Sequence, residues 1–134
     1  MPGYSGTPLP KKLGIKAGLR VHLCNAPTEV RAELKVALAE CTQAKGGTLD
    51  FAMLFTKSRV ELEKEFPRLA RLLTPAGMLW VSWPKKSSGV AADVDENIIR
   101  DTGLAVGLVD VKVCAVSEIW SGLKFVRRLK DRER

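Results

Sequence analysis

The chain has 134 residues, 46% of them hydrophobic and 28% charged, with 22 Lys and Arg against 15 Asp and Glu, a formal charge of +7, one His and three Cys. That length supports one compact core without a metal or disulfide staple, and the composition excludes collagen-like, disordered and disulfide-scaffold classes. No run approaches the roughly 18 apolar residues of a membrane span, and Met-Pro-Gly-Tyr-Ser lacks the layout of a signal peptide, so a cytoplasmic protein with no membrane partner is expected.

The positive charge is concentrated at the ends. Residues 1–20 carry Lys11, Lys12, Lys16 and Arg20 without an acid, residues 127–134 carry five bases and two acids, and the other 106 residues balance at 13 against 13. A neutral body with basic ends favours a local anionic contact over a broad groove-reading face, and aromatics near those ends are sparse. Nucleic acid, reached through the termini, is the disfavoured alternative. Cys24, Cys41 and Cys114 have no metal-ligand spacing and read as reduced thiols.

In chain order, residues 1–18 are Pro- and Gly-rich and read as an arm with one helical turn at Leu9 to Leu13. A first strand from Leu19 to Cys24 ends at Asn25-Ala26-Pro27, and Thr28 is the expected N-cap of a helix carrying Val30, Leu34, Leu38 and Cys41 on one face. Gly46-Gly47 breaks it. Asp50 to Phe55 is apolar on both faces, as a central parallel strand is, and Thr56-Lys57-Ser58 caps a second helix that Pro67 is expected to kink or divide. Pro75-Ala76-Gly77 leads to a strand at Met78 to Trp83, and Lys85 to Gly89 is a polar turn. A helix over Asp93 to Ala105 and strands over Val109 to Val116 and Leu123 to Leu129 complete the chain. The expected fold is a three-layer, Rossmann-like α/β domain over residues 19–129, followed by a basic tail at 130–134. Its sheet is mainly parallel and five-stranded, with an antiparallel edge pair.

Leu69-Ala-Arg-Leu-Leu-Thr-Pro-Ala-Gly-Met-Leu-Trp-Val-Ser-Trp83 resembles the second half of a class I S-adenosylmethionine-dependent methyltransferase. In that family a helix and a Pro-x-Gly turn lead into a strand, followed by a further helix and an antiparallel pair. The resemblance implies a truncated methyltransferase-like fold. It also implies a glycine turn after the first strand and a second strand ending in a ribose-binding acid. Leu23-Cys24-Asn25-Ala26-Pro27 has no glycine, and the second strand is expected to be missing, so no cofactor is expected. Over nearly its whole length the chain also resembles small bacterial proteins grouped as a domain of unknown function. That likeness rests on Tyr4-Ser-Gly-Thr-Pro-Leu9, Val81-Ser-Trp-Pro-Lys-Lys-Ser-Ser-Gly-Val90 and Trp120-Ser-Gly-Leu-Lys-Phe-Val-Arg-Arg128. It implies no activity.

Ligands of open α/β sheets bind beyond the carboxyl ends of the strands. Those loops hold Asn25 and Thr28, then Thr56, Lys57 and Ser58, then Lys85, Lys86, Ser87 and Ser88. Ammonium and hydroxyl groups beside a helix start suit a phosphate or carboxylate, so a small anionic ligand is the expected occupant, against the plainer reading of solvated turns. Asp93, Asp95 and Glu96 read as helix-start acids rather than metal ligands, Trp80, Trp83 and Trp120 as packing, and no catalytic residue or metal site is expected.

If the second and third strands of the methyltransferase order are missing, every right-handed crossover lays its helix on one face, and the other face needs the arm or a second subunit as cover. A homodimer through a sheet face or the arm is one expected form. The leading expectation is thus a non-catalytic module that binds an anionic ligand or a protein partner. The competing one is a group-transfer enzyme with an atypical pocket using Asn25, Thr56 and Lys85.

Overall fold

Apolar runs with two- and 3.6-residue periods become the strands and helices of a computed structural model that describes residues 6–132. In chain order the elements are α1 (Leu9–Leu13), β1 (Arg20–Cys24), α2 (Thr28–Leu38), β2 (Thr42–Gln43), β3 (Leu49–Phe55), α3 (Arg59–Leu72), β4 (Leu73–Pro84), α4 (Glu96–Val106), β5 (Leu108–Ala115) and β6 (Trp120–Arg127). Short 3-10 turns follow β4 at Lys86–Ser88 and β6 at Leu129–Asp131.

The sheet has six strands in the order β2-β1-β3-β4-β6-β5. The first four run parallel, and β6 pairs antiparallel with both β4 and β5. This is the truncated methyltransferase-like α/β fold expected from the sequence, with one strand more. The second strand is not missing: Thr42 and Gln43 pair with Arg20 and Val21. Two polar, exposed residues give no alternating apolar run, which is why the pattern hid them.

That small strand overturns the expectation of a one-sided sheet. The chain leaves β1 towards β2 and leaves β3 in the opposite direction towards β4, so two right-handed crossovers place α2 and α3 on opposite faces. On one face Val30, Leu34 and Leu38 of α2 and Leu9 and Leu13 of α1 bury Val21, Leu23, Phe51, Met53 and Trp80. On the other, Leu62, Phe66 and Leu69 of α3 and Ile99 of α4 bury Ala52, Leu54, Leu79, Val81, Leu123 and Phe125. With α2 on the supposedly bare side, the argument that a second subunit must cover it lapses.

The arm packs as the apolar Leu9, Leu13 and Ile15 suggest. All three are buried, and the Trp80 indole N–H donates to the Leu13 carbonyl at 2.9 Å. Residues 1–5 and 133–134, including Tyr4 of the expected arm and the end of the expected tail, lie outside the described residues.

Three local expectations are corrected. The N-cap of α2 is Pro27 and makes no side-chain cap bond; Thr28 is already the first helical residue. Pro is well placed there because its fixed φ suits a helix entry. Pro67 does not divide α3, which runs unbroken over 14 residues. Its ring removes one N–H, and the packed Phe66, Leu69 and Ala70 hold the turns on either side. Asp93 does not open α4; Asp95 caps it, its side chain accepting from the Ile98 N–H.

Candidate functional site

Crossovers leave β1 and β3 in opposite directions, so the crevice between their carboxyl ends is the topological switch point, where open α/β sheets bind ligands. Asn25 stands at its mouth with φ 62°, the one non-glycine positive φ among the described residues. Asn tolerates the left-handed region better than other side-chain-bearing residues, so the turn keeps a glycine-like backbone while adding a Cβ and an amide. That amide donates to the Glu61 carboxylate at 3.0 Å and reaches the Phe55 carbonyl at 3.4 Å, spanning the crevice from β1 to the start of α3.

Thr56, Lys57 and Ser58 follow β3. Thr56 is buried; its hydroxyl donates to the Ser58 carbonyl and accepts from the Ser58 N–H, both at 3.1 Å. Ser58 is the expected cap of α3, its hydroxyl accepting from the Glu61 N–H at 3.2 Å. The Asp93 carboxylate accepts from the Arg59 N–H at 2.7 Å, and the Asp93 N–H donates to the Lys57 carbonyl at 3.0 Å. The first turn of α3 therefore already holds an anion supplied by the chain. Glu61 is absent from the sequence-predicted site, and Asp93, expected as a helix-start acid of α4, serves α3. Their partners lie 36 and 34 positions away, so no local spacing could signal them.

Lys85, Lys86, Ser87 and Ser88 form the turn after β4. The Ser88 hydroxyl donates to the Lys85 carbonyl at 2.6 Å and accepts from the Val90 N–H at 3.2 Å. Lys85 and Lys86 line an open groove of about 630 Å³ together with Trp83, Val90 and Val94 and, at the start of α4, Asp93, Asp95 and Glu96, the last of these paired with Arg100. Thr28 is elsewhere, in a shallow hollow with Arg31 and Lys35 on α2. The nine predicted residues thus do not converge. Asn25, Thr56 and Ser58 knit the switch point, Lys85 and Lys86 belong to the β4–α4 groove, and Thr28 is separate.

Other reactive groups are muted. Burial, with Glu65 next, pushes the Cys24 thiol up, and burial, with Arg68 next, pulls His22 down. The two share one face of β1, but neither is hydrogen-bonded to the other. The Cys114 thiol is likewise raised by burial, against the opposing pull of Lys12 and Lys112. The described residues contain no group of three or more His, Cys, Asp or Glu able to hold a metal ion, and none of their helices is long and apolar enough to cross a membrane. Ser82, buried in β4, has a hydroxyl without a hydrogen-bond partner among the described residues.

Comparison with solved structures places this geometry in a class, that of the methyltransferase-like Rossmann folds. Magnesium protoporphyrin IX methyltransferase from Synechocystis PCC 6803, with bound SAH, is similar at 16% identity and TM-score 0.58, covering 84% of this chain and 75% of that one. Precorrin-6y C5,15-methyltransferase from Geobacter metallireducens is similar at 11% identity and TM-score 0.59, covering 90% and 86%. Aeropyrum pernix fibrillarin, with natively bound S-adenosyl-L-methionine, is similar at 15% identity and TM-score 0.54, covering 92% and 70%. These likenesses establish the fold. No protein-family model and no curated protein sequence matches the chain.

The switch point does not fit the adenosine cradle that the methyltransferase resemblance implies. Asn25 places a Cβ and a bridging amide where the glycine turn would let a ligand approach the backbone. The strand β2 runs out into Ala44 and Lys45, with no acid to meet a ribose.

Proposed function

We propose that this chain is a methyltransferase-fold group-transfer protein whose pocket is atypical, lying between the end of β4 and the start of α4 instead of in the β1/β3 crevice. The carrying observation is the groove itself, whose lining brings Lys85 and Lys86 together with Asp93, Asp95 and Glu96 and with the apolar Trp83, Val90 and Val94. Both signs of charge in one groove suit a small amphoteric molecule: Lys85 and Lys86 meet its carboxylate, while its ammonium would share acids that also serve the chain, Asp93 at the Arg59 N–H, Asp95 at the Ile98 N–H and Glu96 at Arg100. The fold shared with several methyltransferases supports the reading. Membership of the small bacterial family resembled through Trp83-Pro-Lys-Lys-Ser-Ser-Gly89 is part of the same proposal, since Trp83, Pro84, Lys85 and Lys86 of that motif line the groove.

Titration calorimetry with S-adenosylmethionine and S-adenosylhomocysteine as probes tests it. Saturable binding of either is expected, weakened at least about tenfold in the Lys85→Gln/Lys86→Gln variant, since a charge-assisted hydrogen bond contributes about 1.5–3 kcal/mol. Absence of binding, or binding indifferent to that variant, overturns the pocket assignment. One observation favours a second reading, a non-catalytic binding module: the Asn25 bridge to Phe55 and Glu61 occupies the position where this fold class takes ligands. On that reading neither probe binds wild-type protein.

A further inference from the structure

Counting charges along the sequence treats the body as neutral and the arm as a separate basic segment, but folding mixes them. Lys112 on β5 stands directly opposite Lys124 on β6. The Lys112 ammonium donates to the Lys12 carbonyl at 2.8 Å, and the Lys12 ammonium donates to the Ala115 carbonyl at 2.9 Å, lacing the arm to the β5 edge. Lys16, just beyond α1, and Lys112 both act on Lys124 electrostatically, and the Lys124 ammonium lies 4.0 Å from where a Cβ on Gly14 would be. Lys11 lines the same hollow as Lys12 and Lys112, one of about 520 Å³. Among the described residues neither Lys112 nor Lys124 forms an ion pair, and the charges that act on Lys124 are those of Lys112 and Lys16. The nearest acid on β5, Asp110, is engaged by Arg100 at 3.0 Å.

Like charges placed directly opposite on neighbouring strands destabilise a sheet, and burial further disfavours charge at Lys124. A surface that concentrates lysines in this way is complementary to an external polyanion. The surroundings discriminate between kinds of anion. The hollow is shallow, its ligating groups are mobile ammonium point charges, and the lysines spread across an arm and two strands. That arrangement suits a run of phosphates better than one enclosed phosphate.

We infer that the face made by Lys16, Lys112 and Lys124 with the docked arm binds the phosphate backbone of single-stranded nucleic acid, independently of sequence. No exposed aromatic side chain accompanies these lysines among the described residues, so contacts to the backbone dominate and base stacking contributes little. The inference stands apart from the proposed β4–α4 pocket, whose lysines are different.

The test is fluorescence anisotropy with a labelled single-stranded RNA of about 20 nucleotides, long enough to span the patch, titrated at increasing KCl. Three lysines on single-stranded phosphates give a slope of log K against log salt near −2, at about −0.7 per contact. The Lys112→Gln/Lys124→Gln variant is expected to bind at least about tenfold more weakly at low salt, with its slope reduced to roughly −0.7. The variant loses the Lys112 bond to the Lys12 carbonyl but is relieved of a repulsive pair, so it is expected to melt close to wild type by circular dichroism, which separates lost contacts from lost structure. Lys85→Gln/Lys86→Gln is expected to bind RNA like wild type. No binding at low salt overturns the inference, as does binding unchanged by loss of Lys112 and Lys124. Competition by polyglutamate as effective as by unlabelled RNA overturns it in favour of an acidic protein partner.

Discussion

Replacing Trp80 by Phe removes the indole N–H that holds the Leu13 carbonyl at 2.9 Å while keeping an aromatic ring in β4. Trp80 and Leu13 are both fully buried, so water cannot replace the lost donor without the arm shifting. A buried carbonyl left without its partner costs about 1–3 kcal/mol. The smaller ring adds a transfer and cavity loss of about 1 kcal/mol. Global stability should therefore fall by about 2–4 kcal/mol in urea melts. The hydrogen-bond share has a second, local readout, because detachment of the arm relieves the orphaned carbonyl. Amides of the arm, such as Gly14 and Ile15, which donate to the Pro10 carbonyl at 3.0 and 2.9 Å, should exchange about 5- to 150-fold faster with deuterium. Amides in β3 should change only as far as global unfolding governs them. Unaltered exchange at Gly14 and Ile15, with a lower global stability, would refute the claim that this bond anchors the arm.

Asp93→Ala removes both the acceptor for the Arg59 N–H and a negative charge at the start of α3, and should lower stability by about 1–2 kcal/mol in urea melts. Gly103→Ala in α4 would put a Cβ 2.2 Å from Phe125 Cε1, so the about 1 kcal/mol of helix propensity gained is outweighed by overpacking and the thermal midpoint should drop. Burial, reinforced by Arg68 and only partly offset by Glu65, holds the pKa of His22 below its ordinary 6.5. The unfolded chain thus takes up the proton first, and stability should decline as pH falls below about 6.5 until the lower folded value is passed. His22→Gln should flatten that part of the stability–pH curve, as read by chemical denaturation at several pH values.

The architecture was legible wherever one residue set did one job. Asp50 to Phe55 is apolar on both faces because β3 is covered on both faces, and Ser58 precedes a helical run because it caps it. Leu9 and Leu13 announced the packed arm turn. What escaped were features decided between distant segments. The strand β2 is held by backbone pairing, Thr42 N–H to the Leu19 carbonyl and Ala44 N–H to the Val21 carbonyl, both 2.9 Å, and carries no side-chain pattern. Asp93 looked like a helix-start acid for α4 and serves α3. Lys112 and Lys124 belong to different strands, and only the antiparallel register sets one against the other.

The two-residue length of β2 links these observations. Even so short a strand reverses the crossover direction and puts α2 on the face opposite α3, so both sides of the central strands are covered without a larger sheet. It also leaves the α3-side face of β1 partly open, where His22 and Cys24 are only half-buried. A crevice walled by so thin an edge has little to enclose a nucleoside, and here the Asn25 amide bridges its mouth to Phe55 and Glu61. The two concentrations of charge lie to the other side of that crevice, in the lining of the β4–α4 groove and on the lysine-bearing face of β5 and β6. If the crevice bridge is what excludes a nucleoside, binding capacity in this fold should follow the strands that remain long, β4, β5 and β6, and the Lys85/Lys86 and Lys112/Lys124 variants should act on separate ligands.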